Sequence, residues 1–228
     1  MEVNRDIESF REARRALEGT VGFVPTLGSL HEGHFALMRA ARERADHLVV
    51  SIFVNPTQFE PGSDYEAYPR ELERDREKCR SRGCSLIFAP TEDEMYADNH
   101  ATTVSVDGLT DVLCGPQRPG HFEGVTTIVT KLLNVVEPDV AAFGEKDYQQ
   151  LAIVRRMVRD LNLPVEIVGV PTVREADGLA VSSRNDYLEG RQRRDAVSLS
   201  RALAAAWRSF REGTRDGEAL VEHAREHL

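Results

Sequence analysis

The fold is decided by residues 21–34, which read VGFVPTLGSLHEGH. The apolar, β-branched run at 21–24 predicts a buried strand, and the proline and glycine that follow predict a turn. Ser29 followed three residues later by Glu32 matches a capping box, which predicts a helix that begins near Leu30. Apolar residues then recur at helical spacing. The stretch therefore predicts a strand, a short glycine-containing turn and a helix.

This turn suggests a phosphate site. A helix start presents free backbone N–H groups and a partial positive charge, and both favour phosphate. His31 and His34 are three residues apart, on one side of the helix, and would aim two imidazoles at the same point. A polar first turn with no ligand is the alternative. Zinc is a weaker one, because the H-x-x-H spacing has no nearby carboxylate as a third ligand.

Composition limits the classes of protein. The 228 residues allow one good-sized domain, or one domain with a small appendage. A net charge of -9 and a pI near 5.3 argue against partners such as nucleic acid or an anionic membrane surface. The charged N-terminus has no secretory h-region, and no run reaches membrane-spanning length. Three cysteines without a C-x-x-C pair suit a reduced cytoplasm.

Strand-like and helix-like segments alternate from 21 to 170, which predicts an α/β fold with a doubly wound parallel sheet. The predicted strands are 21–24, 47–54, 85–89, 139–143 and 165–170, with 102–106 at a sheet margin. The predicted helices are 5–18, 30–45, 69–82, 125–136, one that ends near 161, and a helical stretch over 189–228. We predict two domains, at 1–174 and 175–228.

Polar clusters follow several strands, where ligands bind in open α/β sheets. Gln58 lies in a loop after the second strand. Lys146 offers a mobile positive charge in the first turn of the next helix, Asp147 could accept from a ribose hydroxyl, and Gln150 lies one turn further on the same side. The tripeptide at 182–184 could clamp phosphate oxygens. Each cluster alone is also compatible with a solvated loop, so their convergence supports the nucleotide-phosphate site.

The chain resembles the pantoate–β-alanine ligases, adenylating enzymes with a HIGH motif. The resemblance runs from about residue 20 to 188 and includes VPTLGSLHEGH, FVNPTQF, YPR, RPGHFEGVTTIVTKLLNVVEPDVAAFGEKDYQQL and DGLAVSSRNDYL. It implies a Rossmann-like fold and ATP-dependent ligation of pantoate and β-alanine to pantothenate through pantoyl adenylate. It also implies Mg²⁺, brought mainly by ATP, a homodimer and a cytoplasmic enzyme.

The resemblance also implies residue roles. His31, His34, Lys146 and Arg184 would be catalytic, with His34 also a proton donor. The implied ATP-binding residues are Leu27, Gly28, Ser29, Leu30, His31, Glu32, Gly33, His34, Gly144, Glu145, Lys146, Asp147, Val173, Val181, Ser182, Ser183 and Arg184. The implied ligands of the other substrates are Gln58, Gln150 and Arg118 for pantoate and Gln58 for β-alanine, with Asp75 near the metal.

The chain departs from the family pattern at three places. Leu27 stands where Met is usual, and Val181 where Met or Leu is usual. The family's second domain continues beyond Leu228, so the 175–228 domain reads as a shortened lid. Because cleft closure protects an acyl adenylate from water, we expect leakier or slower ligation. The alternative functions are an adenylate-forming relative that uses another small hydroxy acid, and a nucleotide-binding protein without catalysis.

Overall fold

The computed structural model of the chain describes residues 3–60, 62 and 64–228. Its contacts divide the chain into two compact units, Met1–Pro171 and Thr172–Leu228. The division falls slightly before the predicted boundary after residue 174. The two units are described separately below.

The first unit alternates strands and helices. Its strands are β1 (Val3–Asn4), β2 (Val21–Thr26), β3 (His47–Ile52), β4 (Leu86–Phe88), β5 (Val140–Gly144) and β6 (Glu166–Val170). Its helices are α1 (Ile7–Arg15), α2 (Glu32–Arg42), α3 (Leu72–Ser81), α4 (Glu92–Met95), α5 (His121–Val136) and α6 (Tyr148–Asp160). Short 3₁₀ turns lie at Pro56–Gln58 and Glu145–Asp147.

Within the described residues, the sheet has six strands in the order β1-β4-β3-β2-β5-β6, all parallel. The chain moves outward from β2 through β3 to β4 and then returns to place β5 on the other side of β2. The strand order therefore reverses between β2 and β5, and such a reversal opens a crevice at the carboxyl ends of the two strands. The predicted doubly wound Rossmann-like fold is confirmed.

The core of this unit is built from phenylalanine and aliphatic side chains. Phe10 of α1 is fully buried and lies 4.7 Å, centroid to centroid, from Phe88 of β4. The middle strands β2 and β3 are buried along most of their length, as expected of parallel strands covered on both faces.

The predicted strand at 102–106 is wrong. The Val104 N–H donates to Thr127 Oγ1 at 2.9 Å, and the Val104 carbonyl accepts from Thr126 Oγ1. Because hydroxyls on α5 take both backbone groups, this segment packs on a helix and joins no ladder. The edge of the sheet is formed instead by β1, which the periodicity did not predict because it has only two residues.

The second unit contains an antiparallel bridge between Arg174 and Ala180 and a 3₁₀ turn at Ser183–Tyr187. Its helices are α7 (Gly190–Asp195), α8 (Ser198–Arg211) and α9 (Gly217–Arg225). Helices α8 and α9 pack together, and His223 Nδ1 lies 2.7 Å from Ser209 Oγ. Across the residues that the structure describes, no helix is both long and apolar enough to cross a bilayer.

Helix α2 approaches β2 so closely that only glycine fits at position 22. A Cβ there would lie 2.8 Å from the Ala41 carbonyl oxygen, which is backbone and cannot rotate away. We expect Gly22→Ala to destabilise the protein by about 1–3 kcal/mol through overpacking. Urea unfolding followed by far-UV circular dichroism measures this. Gly217→Ala is the control, because a Cβ at that helical position meets open space, and it should be neutral or slightly stabilising.

Candidate active site

The turn after β2 is held in an unusual backbone conformation. Gly28 has φ +87° and Ser29 has φ +50°, so a glycine and a serine both occupy the left-handed region. A non-glycine residue there costs of order 1–3 kcal/mol and persists only where the surroundings impose it. The predicted capping box is wrong for this reason. Ser29 lies inside the turn, and α2 begins at Glu32 with His31 as its N-cap.

Side-chain oxygens of α3 and of a residue at the end of β2 accept hydrogen bonds from the backbone N–H groups of this turn. Asp75 accepts from the backbone N–H groups of Ser29 at 2.7 Å and Leu30 at 2.9 Å. The Gly28 N–H donates to Thr26 Oγ1 at 3.1 Å. Protein acceptors therefore already satisfy these three amides, which precede the helix, and phosphate binding at the start of α2 stays a prediction.

The two histidines cap the start of α2. The Gly33 N–H donates to His31 Nδ1 at 3.1 Å, and the His31 N–H donates to His34 Nδ1 at 3.2 Å. The ring centroids are 4.1 Å apart. Because each Nδ1 accepts from a backbone N–H, each neutral ring carries its proton on Nε2. The pair therefore offers two N–H donors rather than two free lone pairs.

Both imidazoles are held neutral. Burial, followed by the charges of His31, Lys146 and Lys78, lowers the pKa of His34 from 6.5 to about 3. Burial and the same two lysines also lower the pKa of His31, and Glu32 opposes them only weakly. Lys146 therefore lies close enough to act on both rings, although more than a hundred residues separate it from them in sequence. The structure thus brings the predicted histidines and lysine to one edge of the sheet.

Lys146 lies on a 3₁₀ turn directly after β5. This turn spans Glu145–Asp147, and α6 begins only at Tyr148. The prediction that the charged residues form the first turn of the helix is therefore wrong, and the i, i+4 relation between Lys146 and Gln150 does not hold within one helix. Lys146 and Asp147 are exposed, while Gln150 on α6 is half-buried.

A buried amide positions Gln58. Asn55 is fully buried, and its Nδ2 donates to Gln58 Oε1 and to the Gly124 carbonyl, both at 3.2 Å. Its Oδ1 accepts from the Tyr96 hydroxyl at 2.8 Å. Gly124 allows α5 to lie against this loop, since a Cβ there would be 2.3 Å from the Thr57 carbonyl oxygen. The hydrogen bond from Asn55 to Gln58 Oε1 thus orients the side-chain amide of Gln58.

His121, the first residue of α5, links Gln58 to Arg118. Its Nδ1 lies 2.7 Å from the Gln58 carbonyl oxygen and donates to it, so its Nε2 can accept from Arg118 Nη1 at 3.0 Å. Burial is the main reason why the pKa of His121 is lowered, and the Gln58 contact and Asp147 partly oppose this. Arg118 also donates to Glu60 at 3.1 Å. The structure thereby groups two predicted pantoate ligands with Asp147 nearby.

Other predicted nucleotide ligands belong to the second unit. The Val181 N–H donates to the Val173 carbonyl at 3.0 Å, so these two residues are neighbours. Ser182 Oγ accepts from the Arg184 N–H at 3.3 Å and caps the turn at Ser183–Tyr187. One hydroxyl of the tripeptide at 182–184 thus has an internal structural role. Contact of these residues with a nucleotide stays a prediction.

The contacts of Asp75 favour a structural role over the predicted metal contact. Its side chain is 1% exposed, and both oxygens accept hydrogen bonds. Within the described part of the chain, no group of three or more His, Cys, Asp or Glu side chains could hold a metal ion. This arrangement offers no protein cage for Mg²⁺.

Sequence reasoning missed two residues whose side chains hold backbone carbonyls in this unit. Lys78 donates to the Leu30 carbonyl at 2.7 Å. Gln149 holds a loop by donating to the carbonyls of Leu109 and Val112 at 2.9 and 2.7 Å. The one available signal was the scarcity of lysine, since Lys78 is one of three lysines beside 26 arginines.

Neutral His34 makes stability depend on pH. Its pKa is 6.5 in an unfolded chain and about 3 in the folded one, so the unfolded chain takes up the proton first as the pH falls. The contribution of neutral His34 to the free energy of unfolding is complete above about pH 6.5 and is lost as the pH falls toward 3. Between pH 6.5 and 4.5, wild type should lose about 2 kcal/mol more unfolding free energy than His34→Gln. Exposed His227→Gln is the control and should follow wild type; parallel curves for His34→Gln and wild type would contradict the assignment.

Comparison with known proteins identifies the family. The family model described as pantoate-beta-alanine ligase matches residues 2–228. Pantothenate synthetase of Moorella thermoacetica is 55% identical over 220 residues, which are 96% of this chain and 77% of the relative. The crystal structure of pantothenate synthetase from Thermus thermophilus aligns with a TM-score of 0.94 and 52% identity, covering 100% of this chain and 82% of that one.

A second solved structure is a complex with ligands. Pantoate-beta-alanine ligase from Francisella tularensis, complexed with beta-gamma ATP and beta-alanine, aligns with a TM-score of 0.85 and 34% identity. The alignment covers 100% of this chain and 86% of that one. A family model over nearly the whole length, close relatives and the matching fold agree, and the chain therefore belongs to the pantoate–β-alanine ligase family.

Proposed function

We propose that the residues at the carboxyl edge of the sheet carry out the ATP-dependent joining of pantoate to β-alanine, the reaction of this family. The observation that carries the assignment of the site is the meeting of two neutral imidazoles with Lys146 at the switch between β2 and β5. Phosphoryl-type transfer depends mainly on positioning and charge stabilisation, and these groups offer both.

In the first step a carboxylate oxygen of pantoate attacks the α-phosphorus of ATP. The bond from this phosphorus to the bridging oxygen of the leaving group breaks, which gives pantoyl adenylate and pyrophosphate. Lys146 supplies positive charge to the phosphates, and the Nε2–H groups of His31 and His34 donate to their oxygens. Gly144 and Asp147 contact the ribose side. The family pattern assigns Arg184, with Ser182 and Ser183, to phosphate binding as well.

In the second step the amine of β-alanine attacks the acyl carbon of the adenylate. The bond from this carbon to the phosphate oxygen breaks, AMP leaves and the amine loses a proton. Gln58, oriented by Asn55, contacts pantoate and the incoming amine substrate. Gln150 and Arg118 complete the pantoate contacts. The ion pair of Arg118 with Glu60 is half-exposed, so a substrate carboxylate can compete for the guanidinium.

Mg²⁺, the homodimer and a cytoplasmic location are parts of the proposal that rest chiefly on the family. Mg²⁺ would be held by phosphate oxygens and water, which it prefers, since the described residues offer no acidic cluster. Its charge would offset that of the triphosphate. The free thiols of Cys79, Cys84 and Cys114 suit a reducing compartment.

The reaction is tested by pyrophosphate release from ATP and Mg²⁺. We expect release that depends on pantoate, slows after about one turnover without β-alanine to the rate at which the bound adenylate is hydrolysed, and becomes fast and continuous when β-alanine is added. Release with another hydroxy acid but not with pantoate would instead indicate an adenylate-forming relative. ATP binding in calorimetry without any release would indicate a nucleotide-binding protein.

Lys146→Met tests the assigned charge. Loss of a preorganised cation at the phosphates should lower kcat for pyrophosphate release by about 10²–10³-fold. Arg39→Met is the matched control, because Arg39 is an exposed residue on α2 and carries the same charge. Equal activity of the two variants would show that Lys146 does not act on the phosphates.

A further inference from the structure

We propose that Asp75 and Lys78 of α3 are positioning residues that hold the two imidazoles at the start of α2 in place for adenylate formation. Neither residue would touch substrate; both act through the backbone of Ser29 and Leu30. The inference rests on the proposed function, because it explains how the same site is kept in its working geometry.

The two side chains hold one peptide segment through both its N–H and its carbonyl groups. The oxygens of Asp75 accept separately, Oδ2 from the Ser29 N–H at 2.7 Å and Oδ1 from the Leu30 N–H at 2.9 Å. Lys78 Nζ donates to the Leu30 carbonyl at 2.7 Å and lies 3.4 Å from Asp75 Oδ1. Since His31 follows Leu30 directly, these hydrogen bonds set the position of the N-cap of α2.

The turn needs such outside support. Gly28 and Ser29 both have positive φ, a conformation that Ser29 would rarely adopt alone. The side chain of Leu30 is 3% exposed and gives the segment an apolar anchor. The hydrogen bonds to Asp75 and Lys78 add directional support for the turn, because they select one orientation of the peptide that precedes His31.

The pairing of Asp75 with Lys78 also reduces the repulsion between the Asp75 carboxylate and a bound triphosphate. A lone carboxylate next to a triphosphate site would repel the ligand, and Asp75 is 1% exposed. Two N–H donors and the ammonium of Lys78 offset its charge. The carboxylate can therefore order the turn without opposing phosphate, and the ammonium lies close enough to both imidazoles to help keep them neutral.

Substitutions at both positions test the proposal. In Asp75→Asn the side-chain NH₂ must face a backbone N–H, and in Lys78→Met the Leu30 carbonyl loses its donor. We expect kcat for pyrophosphate release to fall about 10–100-fold in each, with a smaller change in KM for ATP, because misplaced groups lose transition-state contacts first. Lys78→Arg should recover part of the loss.

The matched controls are Glu73→Gln and Arg74→Met. Both lie on the exposed face of α3, with side chains 79% and 66% exposed, and they remove the same charges. Both should keep kcat within about two-fold of wild type. A general weakening of α3 would lower all four variants together, which would overturn the specific role of Asp75 and Lys78.

A readout without substrate separates this inference from the function. In ¹⁵N-histidine spectra of the ligand-free protein, His31 and His34 should show the Nε2–H form in wild type and an altered mixture in Asp75→Asn and Lys78→Met. Unchanged histidine signals, or kcat within about two-fold of wild type in folded Lys78→Met, would overturn the proposal. If Asp75→Asn does not fold, Lys78→Met decides. Wild type that releases no pyrophosphate would refute the function and leave the spectral test standing.

Discussion

The placement of β2 between β3 and β5 is the constraint on which the site depends. Parallel ladders on both edges of β2 align its carboxyl end with those of its neighbours. The turn after β2 and the 3₁₀ turn after β5 therefore lie at the same crevice. The tight packing at Gly22 brings α2 close to the sheet. Backbone pairing thus decides where the polar side chains gather.

The electrostatics of the crevice suit a ligand with several negative charges. Burial and two lysines keep His31 and His34 neutral in the ligand-free protein. A bound triphosphate would bring opposite charge close to the rings and shift their pKa values upward. This behaviour differs from two permanent cations, which would repel each other at a ring separation of 4.1 Å.

A second network of hydrogen bonds holds the loop that carries Gln58. Asn55, His121 and Tyr96 come from different parts of the chain, and each makes at least one hydrogen bond to the loop that carries Gln58 or to another member of the network. Buried polar groups are costly unless satisfied, and a satisfied network rigidifies its surroundings. The position of Gln58 is therefore set by side chains from distant parts of the sequence.

Local pattern and tertiary contact contributed differently to what could be predicted. The apolar runs and helical spacing predicted the main strands and helices, because burial on a sheet or helix face imposes those periods. The HEGH, NPTQ and GEKD stretches were recognisable because each follows a strand. Pattern failed where long-range contacts decide. The backbone of Val104 forms hydrogen bonds with hydroxyls on α5, and β1 pairs with β4. The N-cap of α2 is His31 and not the predicted Ser29.

The sequence by itself determined the α/β class, the order of its main strands and helices and the residue types available for phosphate chemistry. Only the tertiary structure decided that His31 and His34 are neutral, that Asp75 serves the backbone of a turn, and that Lys78 contacts Leu30. The physical reason is that protonation and hydrogen bonding depend on desolvation and on neighbours dozens of residues away, and one-dimensional periodicity carries no information about either.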